Sequence, residues 1–480
     1  MMVDFKSIYF GCTDAETEAS RNPKTFKEVF YDPHNYVDAL VNGYPFILMG
    51  RKGDGKTAFA AKIKLSAEEY HVHVAQCPLN NFDNSVFQKI KSTNNIGANP
   101  YISFWKCVLM IECVKIVNKY YPTLEDSNFS ELVSALSEQG LLADDCDICT
   151  TVIKLVESDT TISISKFSHN RKYAQEKILK GSNEIYCAIQ KVVKDLYFDP
   201  KKFIIFLDGL DDILNNSEYN PNIVAGLIRA ADEINTYFCD KTFKFKVNVL
   251  IREDIFRLCR DPNMSKIACD SALHLSWEIS GDPLESDLIG LVSKRMDIGL
   301  GYENSFKDVW DSLFPRYIGQ GTKPSLEYVL ENIIYRPRDI LQFFVEIQKK
   351  YTNGKIITTE KLQEALISYS EQYFLEAMRD ELTGFFPNDF VTILPNVLSK
   401  MGSKYFYLKD FDMECSHLPE AKGISSKDVL ESLFNDGYIG QHRPREGGDL
   451  TVFSYRNPHE RFNPDHECIL HRGLTRALNI

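Results

Sequence analysis

Residues 44–57 read YPFILMGRKGDGKT, and their reading decides the fold. Phe46 to Met49 is a short apolar run behind a proline, as expected of a parallel strand buried on both faces. Ala58 to Leu65 (AFAAKIKL) is rich in helix formers. Between them Gly50, Gly53, Gly55, Lys56 and Thr57 complete a G-x-x-x-x-G-K-[ST] pattern set between strand and helix. Glycines let such a loop wrap so that backbone N–H groups and the helix N-terminus point at phosphates. Gly50, Arg51, Lys52, Gly53, Asp54, Gly55, Lys56, Thr57 and Ala58 are therefore the candidate cradle for ATP with Mg2+. Lys56 is expected to reach the β/γ oxygens and the Thr57 hydroxyl to ligate the metal.

A magnesium-bound phosphate needs a carboxylate at the tip of a neighbouring buried strand. Residues 201–214 read KKFIIFLDGLDDIL, where the five apolar residues Phe203 to Leu207 suit a buried strand and Asp208 ends it. Asp208 is the candidate metal carboxylate together with Thr57. Asp211 and Asp212 follow, either polarising a water and holding the magnesium shell or capping a helix. Phe243 to Ile251 (FKFKVNVLI) reads as the next strand and ends in Arg252, placed to contact a γ-phosphate. With YHVHVA at 70–75 and ALHLSW at 272–277, five strands in βα succession predict a parallel sheet covered by helices. His71 and His73 are expected on one face of the second strand, as a polar face rather than a metal pair.

The chain has 480 residues, too many for one core, so several domains are expected. Hydrophobic residues make up 44% and charged residues 25%, values of an ordinary globular protein, and no apolar run approaches a membrane span. Twelve scattered cysteines without a framework fit a reducing compartment; a soluble cytoplasmic protein is predicted. Cys146 and Cys149 form one CxxC in an acidic segment with no second pair. A net charge of −12 argues against coating nucleic acid by bulk electrostatics.

Outward from the two motifs, 1–43 reads as an N-terminal cap segment, either over the nucleotide or closing the sheet edge. Residues 44–278 read as the core, interrupted by a helical insertion over about 84–196. Residues 279–380 carry helical periodicity and read as a helical lid, in which YRPRDIL places Arg336, Pro337 and Arg338 at a helix start. Pro337 and Arg338 are candidate nucleotide contacts; solvated arginines at a plain helix start are the other reading. Residues 381–480 read as helix, helix, hairpin, a winged-helix pattern. Residues 400–480 hold 11 Lys/Arg against 12 Asp/Glu, which favours a protein-contacting role over DNA. Cys415, His417, His466, Cys468 and His471 fit no standard zinc spacing.

With GRKGDGKT, FLDGLDD, LIRED and the lid followed by a winged helix, the chain resembles STAND-type P-loop ATPases, the branch that includes NACHT proteins. More narrowly, FGCTDAETE, LMGRKGDGKTA, DGLDD, LIREDIF and YRPRDIL are similar to a prokaryotic P-loop ATPase family named after a cyanobacterial open reading frame. The resemblance implies an α/β fold: a P-loop NTPase parallel sheet with a helical insertion, then a helical lid and a C-terminal winged-helix domain. It also implies slow ATP hydrolysis, a switch between ADP-closed and ATP-assembled forms, a homo-oligomer and a protein partner or effector, with antiphage defence as an implied setting. Asp208, Asp211, Asp212 and Arg252 take the catalytic roles by position. Pro337 and His471 are the nearest matches to a lid proline and a winged-helix histidine that touch nucleotide. The alternatives are a DNA-associated AAA-like ATPase and a non-hydrolysing nucleotide-binding scaffold. Arg257 and Arg260 stand just past the sensor strand, where action across a subunit boundary is left open.

Overall fold

Ile47–Gly50 is buried along its whole length, and a strand with no exposed face requires a neighbour on each side. The structure, a computed structural model, describes residues 4–79, 99–143, 145–157, 161–165, 176–198, 201–210, 221–259, 261–301, 305–318, 323–352, 355–444, 450–457 and 459–480. These fall into two units, each with its own core: a sheet unit (His34–Gly50 and Lys56–Leu275) and a helical unit (Met1–Pro33, Arg51–Gly55 and Ser276–Ile480).

In the sheet unit the described strands are β1 (Ile47–Gly50), β2 (Val72–Pro78), β3 (Thr161–Ser165), β4 (Glu176–Lys180), β5 (Lys202–Asp208), β6 (Phe245–Arg252) and β7 (Ala272–His274). Five of them form one parallel sheet in the order β2-β5-β6-β1-β7. The predicted strands are thus all present, and β6 lies between the strand that carries Gly50 and the strand that carries Asp208. Helices Lys56–Leu65, Asn99–Tyr120 and Pro221–Phe238 supply the cover that a doubly buried sheet needs. The long helix is apolar on nearly every side because it is enclosed: Trp105, Leu109 and Cys113 have no exposed surface, and the Trp105 indole donates to the Ile223 carbonyl at 3.1 Å. The insertion is not purely helical as expected. Besides helices Ser127–Glu138, Ile148–Glu157 and Ser182–Val193 it contains the antiparallel pair β3-β4, a short ladder that helical periodicity cannot reveal.

The histidine reading needs correction. His71 lies before β2, in a turn with φ +52°, so it does not share a strand face with His73. His73 is nearly buried, stacked on Tyr120 and bonded to the Tyr121 hydroxyl at 3.0 Å.

The helical unit begins with residues 4–33. Phe5 and Phe10 pack on Phe344, and the Gln348 side-chain amide donates to the carbonyls of Phe5 and Ile8. Asp14 caps helix Ala15–Arg21 by accepting from Thr17 N–H, and Glu18, 2% exposed, pairs with Arg295 at 2.8 Å. Gly11 sits at φ +93°, where an added Cβ would meet the Glu18 carboxylate, so the FGCTDAETE stretch is built for this buried pair. Helices Asp287–Leu300, Phe306–Leu313, Ser325–Leu330, Pro337–Lys350 and Thr359–Tyr369 follow, with a two-residue pair β8 (Tyr317–Ile318) and β9 (Lys323–Pro324) where no strand was expected.

From Asn388 the chain forms helices Asn388–Lys400, Leu408–Ser416 and Ser426–Asn435 and strands β10 (Tyr405–Phe406), β11 (Ile439–Arg443), β12 (Leu450–Val452) and β13 (Cys468–Leu470). The sheet order is β10-β13-β11-β12, all antiparallel. The expected hairpin is β11-β12. Strand β13, too short to show a period, takes the place between β10 and β11.

Candidate functional site

The tips of β1, β6 and β5 carry three of the residues picked out above. Gly50 is level with Arg252 in the β1-β6 register, and Asp208 ends β5 opposite Pro78 of β2. The Thr57 hydroxyl, on the first turn of helix Lys56–Leu65, donates to Asp208 Oδ2 at 2.6 Å. The other carboxylate oxygen accepts from Gly209 N–H at 2.8 Å, which the left-handed backbone at Gly209 (φ +78°) allows. Both Asp208 oxygens are thus held, one by a short charge-assisted bond. A hydroxyl and a carboxylate in contact are a pair of hard oxygen donors, the chemistry that Mg2+ takes, so these residues fit the metal. Lys56 Nζ donates to the Gly50 carbonyl at 3.1 Å, folding back across the loop between them. Arg252 is 4% exposed and grips the Asp254 carboxylate with two bonds of 3.0 and 2.8 Å. Ala58 follows in the same helix turn as Thr57. Asp211, Asp212 and Arg260 lie outside the described residues.

The chain divides inside the glycine-rich loop, because Arg51–Gly55 group with the helical unit. Gly53 and Gly55 have φ of +85° and +98°, values that a side chain rarely tolerates. The Asp54 carboxylate, 2% exposed, accepts from Arg51 N–H at 2.6 Å, and Asp54 N–H donates to the Arg51 carbonyl at 3.2 Å, closing a tight turn. Three outward carbonyls of this turn meet donors of the same unit. Arg336 Nη1 reaches the Lys52 carbonyl at 3.2 Å, the Arg338 N–H lies 3.5 Å from the Gly53 carbonyl, and the Trp277 indole donates to the Asp54 carbonyl at 3.0 Å. Lys52 Nζ donates to the Asp380 carbonyl at 3.0 Å.

Arg336 is the N-cap of helix Pro337–Lys350, with Pro337 buried at its first position. Its guanidinium is 3% exposed and binds Asp339 Oδ2 at 2.8 Å, Glu381 Oε1 at 3.0 Å and the Tyr438 hydroxyl at 3.4 Å. Asp339 in turn accepts from the Tyr369 hydroxyl at 2.7 Å. Burial works against the charge of Arg336, yet Asp339 and then the other acidic groups around it hold its pKa well above the usual value. Arg338 lines a cavity of about 320 Å³ with Thr13, Lys52, Tyr373 and Asp380.

His471 is a correction. It is 1% exposed, and its Nδ1 accepts from Gly473 N–H at 3.0 Å, which leaves the ring proton on Nε2, 3.1 Å from the Tyr455 hydroxyl. With both nitrogens bonded to protein groups, the ring caps helix Arg472–Ala477 and serves the core. Among the described residues no group of three or more His, Cys, Asp or Glu is placed to hold a metal ion by itself, and no helix is long and apolar enough to cross a membrane. Trp277, Asp339, Glu381 and Tyr438 were not singled out from sequence. Asp339 lies inside YRPRDIL, but nothing local marks Glu381 or Tyr438, which are 45 and 102 residues from Arg336.

Residues 286–378 match the model of the FunZ-associated C-terminal helical domain. No curated protein matches the sequence. The solved structures to which the chain is distantly similar include the following three. The Aeropyrum pernix ORC1 protein in complex with DNA is 12% identical, with 96% of this chain and 95% of that one covered and a TM-score of 0.39. The Aeropyrum pernix ORC2 protein in its ADPNP–ADP complexes is 11% identical, with 95% and 96% covered and a TM-score of 0.41. CDC6P from Pyrobaculum aerophilum is 11% identical, with 95% and 98% covered and a TM-score of 0.33.

Proposed function

We propose that this chain is an ATP-binding, slowly hydrolysing P-loop ATPase that works as a STAND-like switch, changing assembly state with its nucleotide and so regulating a protein partner. The observation that carries the reading is the 2.6 Å contact between the Thr57 hydroxyl and the Asp208 carboxylate, residues 151 apart in sequence. A glycine-rich loop alone is a turn; a loop whose helix begins with a hydroxyl on a strand-tip carboxylate has the two oxygen ligands of a magnesium–phosphate site. Thr57 and Asp208 would hold a magnesium ion there, which would supply positive charge against the charge that develops when a terminal phosphoryl group is transferred to water. In this assignment Gly50 to Ala58 cradle the phosphates, Lys56 exchanges the Gly50 carbonyl for phosphate oxygens, and Asp208 orients Thr57. Asp211 and Asp212 assist the attacking water. Arg252 answers the γ-phosphate by giving up Asp254, and Pro337 and Arg338 contact the nucleotide from the start of their helix.

The strand order β2-β5-β6-β1-β7 supports the P-loop class, since it sets one strand tip between those of Gly50 and Asp208. The module from Asn388 supports a winged helix: three helices, then β11 and β13 with β10 alongside. We assign 1–43 to a cap, 44–278 to the ATPase core, 279–380 to the lid and 381–480 to the winged helix. The charge balance favours a protein over DNA as its partner, and the resemblance suggests cytoplasmic antiphage defence.

The test measures ATP turnover and particle mass together, for the wild type, Lys56→Ala and Asp208→Ala, with ATP, with ADP and without nucleotide. Turnover should vanish in both variants, and mass should rise in the wild type with ATP alone. A wild type that binds ATP without hydrolysing it or changing mass would replace the switch with a scaffold. Steeply salt-dependent duplex binding would favour the DNA-associated alternative.

A further inference from the structure

We propose, resting on the nucleotide-binding reading above, that Trp277 and Arg336 are positioning residues that set the glycine-rich loop in its anion-accepting form. In a trans peptide the C=O and N–H point in opposite directions. Holding the Lys52 carbonyl therefore aims the Gly53 N–H, and holding the Asp54 carbonyl aims the Gly55 N–H. Both glycines stand at positive φ, the backbone form from which successive N–H groups build an anion nest. Glycine reaches that form freely but also leaves it freely, so something outside the loop must select it. The two donors do this from the far side of each peptide, at 3.2 Å from Arg336 and 3.0 Å from Trp277. Both are almost fully enclosed, with 3% and 6% exposure, so water does not compete for the carbonyls. Both are also held in place: Arg336 by Asp339, Glu381 and Tyr438, and Trp277 by packing near Tyr31 at 6.5 Å between ring centroids. The loop's readiness for phosphate is thus set by residues more than two hundred positions away in sequence.

The test uses the full chain and compares the wild type with Trp277→Phe, Arg336→Met and Trp310→Phe. Trp310 is the control: it is 4% exposed and its indole donates to Ser325 Oγ at 2.9 Å, the same kind of buried bond without a loop carbonyl. Calorimetric titration with ADP and with ATP in Mg2+ reads affinity, and phosphate release reads KM and kcat. Trp277→Phe should weaken both nucleotides about three- to tenfold, as expected for one buried hydrogen bond, and raise KM by the same factor with kcat within about twofold. Arg336→Met should weaken them further, and Trp310→Phe should bind like the wild type. If Trp277→Phe binds both nucleotides as the wild type does, or lowers kcat at unchanged affinity, the positioning role is wrong while the nucleotide reading stands. If the wild type binds neither nucleotide, the nucleotide reading itself fails. Should Arg336→Met not fold, Trp277→Phe decides alone.

Discussion

Asp339→Ala should destabilise the helical unit by about 3 kcal/mol. The carboxylate has no exposed surface, and it accepts from Arg336 Nε at 2.8 Å and from the Tyr369 hydroxyl at 2.7 Å. Its removal leaves a buried guanidinium short of one counter-charge and a buried hydroxyl short of an acceptor. Breaking a buried ion pair from one side costs roughly 3–5 kcal/mol; Glu381 still faces Arg336 at 3.0 Å, which places the loss at the lower end. With a urea m-value of about 3 kcal/mol/M, the upper end for small proteins, the midpoint should move down by about 1 M. A chain of two units need not unfold in one step, so the probe must report on one of them. Trp277 and Trp310 both belong to the helical unit, and a Trp105→Phe background leaves them as the only tryptophans, read by selective tryptophan excitation. Asp339→Asn, which keeps the shape and an acceptor oxygen, should recover part of the loss. A midpoint shift no larger than that of the exposed Glu364→Ala would refute the claim that this carboxylate anchors the Arg336 cluster.

The imidazole of His471 is pushed down to about 3, first by burial and then by the charge of Arg456. The ring is neutral in the fold while the unfolded chain takes up a proton below about pH 6.5. Stability should therefore fall as pH drops through that window towards 3, by at most roughly 1.4 kcal/mol per pH unit. His471→Asn should flatten the slope between pH 6.5 and 5, measured by urea midpoints; an unchanged slope would show that other groups carry it. Thr57→Val keeps the side-chain shape and removes the hydroxyl, so Mg2+-dependent phosphate release should drop about a hundredfold, some 2.7 kcal/mol of barrier, and full turnover would remove Thr57 from the metal site. Gly437 and Gly423 both lie at positive φ, but an added Cβ at Gly437 comes within 2.8 Å of the Tyr455 ring, while at Gly423 it meets open space. Gly423→Ala should cost about 1–2 kcal/mol for backbone strain alone, and Gly437→Ala about 1–3 kcal/mol more for overpacking. Equal thermal shifts for the two would show that the ring gives way.

Local chemistry was enough to read the sheet and the loop. The strands that end in Gly50 and Asp208 were legible as unbroken apolar runs, because a strand buried on both faces leaves that signature, while the second strand was read from the alternation in YHVHVA. Thr57 and Asp208 were paired from sequence because a magnesium–phosphate site needs both, and the structure places them in contact. Boundaries were poorer where elements are short. The pairs β3-β4 and β8-β9, and strand β13, have too few residues to carry a period. His71 left its strand for a left-handed turn that alternation did not reveal.

The sequence by itself determined the residue types of the candidate cradle, the strand that precedes it and the carboxylate that answers it, because those depend on spacing along the chain. Only the tertiary structure decided what holds the loop. Arg336 read either as a lid cation closing on nucleotide or as a solvated arginine at a helix start, yet it is buried against Asp339, Glu381 and Tyr438. Trp277 read as the end of a strand, yet it donates to the loop. His471 read as a candidate nucleotide contact, yet it closes a core. The physical reason is common to all three: a hydrogen-bonding side chain looks the same in sequence whether it pairs with water or with a buried protein group. Which partner it meets is settled by contacts between segments far apart in the chain.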